Sequence, residues 1–148
     1  MDIREEIINK LRQFFEAKAL HYGLDLVFLY GSWARGFPKE ESDIDIAVFF
    51  SQRPISDDEL FTAINDISLS SSKDLGRDVN IVVLRPDFRE PMLYYNAIIL
   101  GIPLFVKNAE TYINLKNEAI YHMEDFSLFG IDWQLRNAKK NLEGLEHA

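Results

Sequence analysis

Two short stretches of this 148-residue sequence carry residue types that could do chemistry together: Gly31-Ser32-Trp33-Ala34-Arg35-Gly36 and, after an interval of ten residues from Ser32, Asp43-Ile44-Asp45. Aspartates one residue apart on a strand point to the same side, with Cα atoms about 6.5–7 Å apart. Their charges repel, while the alternate residues Ile44, Ile46 and Val48 are all apolar. A hard divalent cation removes that conflict, since Mg²⁺ takes oxygen ligands, typically carboxylates together with substrate phosphates. A Gly-Ser at a strand end supplies exposed backbone N–H groups and a hydroxyl, which suit phosphate oxygens. Alone, a Gly-Ser after a strand is a turn, and an Asp-x-Asp is a solvated strand face. Side by side they make one site, with donors for a polyphosphate tail beside ligands for its metal.

The surrounding pattern supplies elements that could position them. Ile3, Ile7, Leu11 and Phe14 fall at helical spacing within residues 3–21, with Gly23 placed as a C-terminal cap. Residues 24–30 (LDLVFLY) read as a buried strand that feeds the Gly31–Gly36 turn. In 42–50, Asp43, Asp45 and Ala47 share one face, and Ile44, Ile46 and Val48 the other. Ser56-Asp57-Asp58-Glu59 is a capping box opening a helix with Leu60, Ala63, Ile64 and Ile67. Residues 78–84 (DVNIVVL) form a third strand that Pro86 ends, with Asp78, Asn80 and Val82 on one face. A helix follows near 88–100, stopping at Gly101, and Pro103–Val106 suits a short edge strand.

From about 109 to 146 the chain reads as helix interrupted near Phe129-Gly130. Ile131, Leu135, Ala138, Leu142 and Leu145 step by 4, 3, 4 and 3 into one apolar stripe, with Trp133 nearly opposite. That stripe must be covered by the chain's own domain, the default, or by a partner helix, which an exposed Trp133 favours. The order α-β-turn-β-α-β-α-β-α predicts a small mixed sheet flanked by helices, an α/β (α+β) fold. Residues 1–106 make the minimal domain and 107–148 a helical extension, packed on the core or on a partner.

Composition narrows the classes. The chain is 47% hydrophobic and 27% charged, as expected of a soluble globular domain. No apolar run approaches the roughly 18–20 residues of a membrane span, and the amphipathic start MDIREEIINKLRQFF is unlike a signal peptide. Without cysteine there is no disulfide, thiolate metal site or cysteine nucleophile, which is compatible with the cytoplasm. A net charge of −8 argues against direct nucleic-acid binding and suits a basic protein partner. His21, His122 and His147 show no ligand spacing. The Phe14/Phe15, Phe49/Phe50 and Tyr94/Tyr95 pairs read as core and rim aromatics, and Lys139-Lys140 as a solvated helix face.

Gly31-Ser32, ten residues, then Asp43-Ile44-Asp45 resembles the GSx10DxD signature of the minimal nucleotidyltransferases of the polymerase-β-like superfamily. The resemblance spans about residues 24–106. Within that superfamily the chain looks most like the MNT (MntA-like) antitoxins paired with HEPN ribonuclease toxins in type VII-like systems. Antibiotic-modifying relatives normally carry a further substrate domain. The resemblance implies that Gly31 and Ser32 contact the triphosphate of ATP and that Asp43 and Asp45 bind two Mg²⁺ ions. Arg35 lies near the phosphates or braces the turn, and Ser42 orients the strand start or serves as a turn residue. It further implies AMP transfer to a tyrosine of the HEPN toxin within a hetero-oligomer.

One position departs from that pattern. Family members carry a third carboxylate in a stretch like hDhhxL, and here Val79-Asn80-Ile81-Val82-Val83-Leu84 puts Asn80 there. An amide carries no charge and accepts no proton at neutral pH, so its effect should fall on chemistry more than on nucleotide binding. Asp78 could replace it only through a bulge or register shift. Three functions follow: a toxin adenylyltransferase, a catalytically impaired antitoxin that neutralises its partner by binding, or a nucleotidyltransferase acting on a small molecule.

Overall fold

A computed structural model describes residues 2–36, 42–51, 56–85 and 89–146, with the side chains of 128–130, 132–134, 141 and 143–146 outside that description. Helix α1 (Ile3–Lys18) starts where the Asp2 side chain accepts from the Glu5 N–H, satisfying one free first-turn donor. Its apolar residues Ile7, Ile8, Leu11, Phe14 and Phe15 are buried, whereas Ile3, at the first turn, is 57% exposed. The helix stops five residues before Gly23, whose φ of 70° serves the turn into β1 rather than a helix cap.

Strand β1 (Leu24–Tyr30) leads into the four-residue helix α2 (Ser32–Arg35) and then, beyond a loop, β2 (Ile44–Phe50). Helix α3 (Asp57–Leu75) opens on the expected cap, with Ser56 Oγ accepting from the Glu59 N–H, and closes on Gly76 in the left-handed region. β3 (Val79–Val83), α4 (Pro91–Tyr94), a π-helical turn (Tyr95–Ile99), β4 (Ile102–Val106) and α5 (Ala109–Glu146) complete the order. The single helix anticipated near 88–100 is therefore a short α-turn running into π geometry, with Pro91 as its first residue. Pro86, expected to end β3, lies outside the described residues, and β3 ends at Val83.

The sheet order is β3-β2-β1-β4, with β4 on an edge as anticipated. β1 runs antiparallel to β2 and β4, while β2 and β3 are parallel. The alternation read in β2 divides the core. Ile44, Ile46 and Val48 join α1 and Ile67 on one face of the sheet. Ala47 and Phe49 join Tyr94, Ala97, Ile98 and Ala119 on the other. Each large aliphatic or aromatic side chain buried this way stabilises the fold by about 1.5–3 kcal/mol.

Helix α5 departs from the sequence expectation in two respects. It is continuous through Phe129-Gly130 for all 38 residues, because a single glycine in a helix costs only about 1 kcal/mol relative to alanine and does not break it. Nor is its stripe covered by the domain: Ile131 is 54%, Leu135 65% and Leu142 62% exposed, and Ala138 is exposed too. At about 1.5 Å per residue the helix outruns a core it touches mainly near its start, through Tyr112, Leu115 and Ala119. The side chains of Trp133 and Leu145 lie outside the described residues.

Candidate active site

The strand pairing brings the two sequence stretches to one end of the sheet. Tyr30, the last residue of β1, pairs with Asp45 of β2, so Gly31 turns away directly beside that carboxylate. Gly31 has φ 76° and ψ −154°, a conformation open essentially only to glycine. A Cβ placed on it would stand 2.6 Å from Asp45 Oδ2. Only a residue without a Cβ leaves that carboxylate oxygen its place. Ser32 begins α2, whose first N–H groups have no acceptor within the helix.

The parallel register sets Asp45 beside Asn80 and Ile44 beside Val79. The Asn80 amide lies between the two carboxylates: Nδ2 donates to Asp43 Oδ2 at 3.3 Å, and it also hydrogen-bonds toward Asp45. Asp45 has its pKa raised, first by burial; the Asn80 hydrogen bond opposes that rise and the Asp43 charge adds to it. Tyr30 is likewise raised, by burial and then by the Asp45 charge. Asp43 is exposed and Asp45 half-buried, so both carboxylates remain open to a ligand.

Asp78 does not take the third position. The β2–β3 pairing runs from Ile44↔Val79 to Val48↔Val83 without a shift, and the Asp78 carbonyl accepts from the Ile44 N–H at 2.9 Å. Asp78 borders instead a hollow of about 310 Å³ that adjoins the site through Ser42 and Asp43 and is completed by Ser72, Gly76 and Arg77. Among the described residues no three acidic or histidine side chains gather as a metal-binding group. The oxygen ligands are the two carboxylates, since the Asn80 amide turns its N–H toward Asp43; such a pair fits a hard cation that completes its shell with phosphate oxygens.

Arg35 and Ser42 both make contacts beside the turn. The Arg35 guanidinium donates to Asn96 Oδ1 of the π-turn at 3.3 Å, while α2 is braced by Arg4, whose Nε and Nη2 reach the Trp33 and Ala34 carbonyls at 2.8 and 2.9 Å. The Ser42 carbonyl accepts from Trp33 Nε1 at 3.1 Å. Sequence reasoning passed over Tyr30, Arg4, Trp33 and Asn96. Tyr30 could have been found by pairing the two strands antiparallel. Arg4 and Asn96 lie 30 and 61 positions from their α2 partners, and no local pattern marks such contacts.

Known structures share this architecture. A toxin–antitoxin structure containing AMP-PNP superposes with a TM-score of 0.60 at 22% identity, covering 84% of this chain and 95% of that one. A MntA–HpeT toxin–antitoxin mutant gives 0.63 at 21% identity, with the same coverage. A complex of tri-AMPylated Shewanella oneidensis HEPN toxin with MNT antitoxin gives 0.53 at 22% identity, over 82% and 96% of the two chains. No functionally curated protein matches the sequence significantly. The family model for polymerase beta nucleotidyltransferases matches residues 6–110, from within α1 through β4, including the Gly31–Asp45 stretch. This chain belongs to the polymerase-β nucleotidyltransferase family.

Proposed function

We propose that the chain is the antitoxin of a HEPN/MNT pair and transfers AMP from ATP to a tyrosine of its HEPN ribonuclease partner. The observation that supports this reading is the adjacency of Gly31 and Asp45, where an added Cβ would stand 2.6 Å from Oδ2, so that the turn and the carboxylate pair adjoin. The toxin–antitoxin neighbours, one with AMP-PNP and one with an AMPylated toxin, supply the nucleotide and the acceptor class.

In this reading Gly31 and Ser32 hold the triphosphate, and Asp43 and Asp45 are the residues that would hold Mg²⁺, two ions in the family. When bound, the metal neutralises phosphate charge and stabilises departing pyrophosphate. Asp45 must be ionised to ligate, and a cation favours that ionised form against its burial. Arg35 tethers the turn to the π-helix, so that α2 keeps its place when a charged tail arrives. AMP passes to the tyrosine oxygen as the bond between the α-phosphorus and the pyrophosphate oxygen breaks. The exposed stripe of α5 offers the partner a surface, and the 107–148 extension serves docking more than the fold. No helix among the described residues is long and apolar enough to cross a membrane, and we place the reaction in the cytoplasm.

A second reading rests on Asn80. With an amide between Asp43 and Asp45, the site binds nucleotide and metal but turns over slowly, and neutralisation comes from the complex itself. The test is incubation of labelled ATP and Mg²⁺ with the HEPN partner and three forms of the chain: native, Asn80→Asp, and Asp43→Ala/Asp45→Ala. Label on the toxin with the native chain establishes the transferase. Label only with Asn80→Asp, at least about a hundredfold above native, establishes the binding antitoxin. No label with either, despite nucleotide binding, moves the acceptor away from the toxin, toward a small molecule.

A further inference from the structure

Helix α2 carries the phosphate turn, yet four residues are far too few to be stable alone. Its position is imposed by long-range contacts, and one of them joins the two halves of the site. Trp33 is 3% exposed and belongs to the core cluster containing Ile44 and Ile46. Its indole N–H leaves that cluster to donate to the carbonyl of Ser42, the residue before Asp43. The Arg77 guanidinium covers the ring at 5.1 Å, and Arg4 holds the Trp33 carbonyl from the other end. The indole is thus fixed at its ring, its backbone and its N–H.

From this arrangement we infer that Trp33 is a positioning residue, whose hydrogen bond to Ser42 sets the spacing between the Gly31-Ser32 turn and the Asp43/Asp45 pair. The inference rests on the nucleotide site proposed above. The need for such a strut lies at Gly31, where only a residue without a Cβ leaves Asp45 Oδ2 its place. Displacing the turn along the strand axis would leave phosphates and carboxylates each intact but unable to share one cation. Misplacement on the scale of 1 Å is enough to cost about a hundredfold in rate. A buried indole N–H needs an acceptor, and here the acceptor is the carbonyl of the residue that leads directly into Asp43.

Trp33→Phe keeps a ring in the core and under Arg77 but removes the donor. The experiment measures AMP-PNP binding by calorimetry, in MgCl₂ and in EDTA, together with Tm. Positioning requires that affinity in EDTA stay within about twofold of native while the gain in affinity on adding Mg²⁺ falls roughly tenfold, the scale of one hydrogen bond removed. An unchanged Mg²⁺ gain overturns the inference. So does a parallel fall of both affinities with Tm, which is the signature of lost packing. If Trp33→Phe does not fold, β-(3-benzothienyl)alanine at position 33, isosteric but without the N–H, is judged by the same criteria. A native chain that binds AMP-PNP in neither condition overturns the nucleotide site itself, and with it this inference. A native chain with a Mg²⁺ gain that the variant retains sinks the inference alone.

Discussion

Gly31 carries two constraints at once, a backbone conformation reserved for glycine and a carboxylate oxygen standing where a side chain would go. Gly31→Ala should cost about 1–3 kcal/mol of stability and abolish nucleotide binding, measured by urea denaturation and by AMP-PNP titration. Retained binding would mean that the turn does not hold the phosphates. Asp45 gives a pH-dependent counterpart. Burial raises its pKa in the folded chain, so the folded state holds this proton more tightly than the unfolded one. Its contribution to stability is full below the ordinary Asp pKa of about 3.9 and is lost as pH rises through the raised folded value. Asp45→Asn should therefore raise Tm near pH 7 and give no gain near pH 3.5. Mg²⁺ should raise the Tm of the native chain and leave Asp43→Ala/Asp45→Ala unmoved.

At the scale of elements, the π-turn links the site to the second core. Asn96 lies on it and meets Arg35, while Ala97 and Ile98 pack beneath the sheet. Such turns mark functional positions because a widened helix offers groups that a regular one would occupy. Two residues past the turn stands Gly101, where an added Cβ would overlap the Ala97 carbonyl oxygen and lie 2.7 Å from the Leu29 carbonyl oxygen. Both neighbours are backbone and cannot swing away. Gly101→Ala should cost about 1–3 kcal/mol and, by moving the π-turn, weaken nucleotide binding as well. An alanine variant with native stability would show that this junction is plastic. Tyr94 ties the same region to the end of β3, its hydroxyl accepting from the Arg85 N–H at 2.6 Å and donating to the Arg85 carbonyl.

Over the whole molecule, the buried side chains among the described residues run from Ile7 to Ala119, and the part of α5 beyond them adds none. Leu135 and Leu142 are more than half exposed on a chain of net charge −8. Substituting either by Glu should change the stability of the isolated chain by no more than about 0.5 kcal/mol, as for other surface positions. If the stripe is where the partner docks, the same substitutions should weaken the complex at least roughly tenfold, as loss of an interface anchor does. Calorimetric titration against the HEPN protein would measure it. Unchanged affinity would place the interface elsewhere and leave the stripe without a role.

The sequence by itself determined the local devices and the chemistry they imply. The Ser56 cap, the two-faced alternation of β2, the edge position of β4 and the paired Gly31-Ser32 and Asp43/Asp45 stretches are properties of residue type at short range. For that reason they could be read without coordinates. Only the tertiary structure decided what depends on register and distance. It set Asn80 rather than Asp78 beside Asp45, since a parallel pairing is fixed by hydrogen bonds between strands and not by either strand alone. It made Arg4 the brace of α2, turned Arg35 toward Asn96, and ran α5 unbroken past Gly130 with its stripe bare. A period of apolar residues says that a face can be buried. Whether the chain's own core reaches far enough to bury it is a matter of where that core ends.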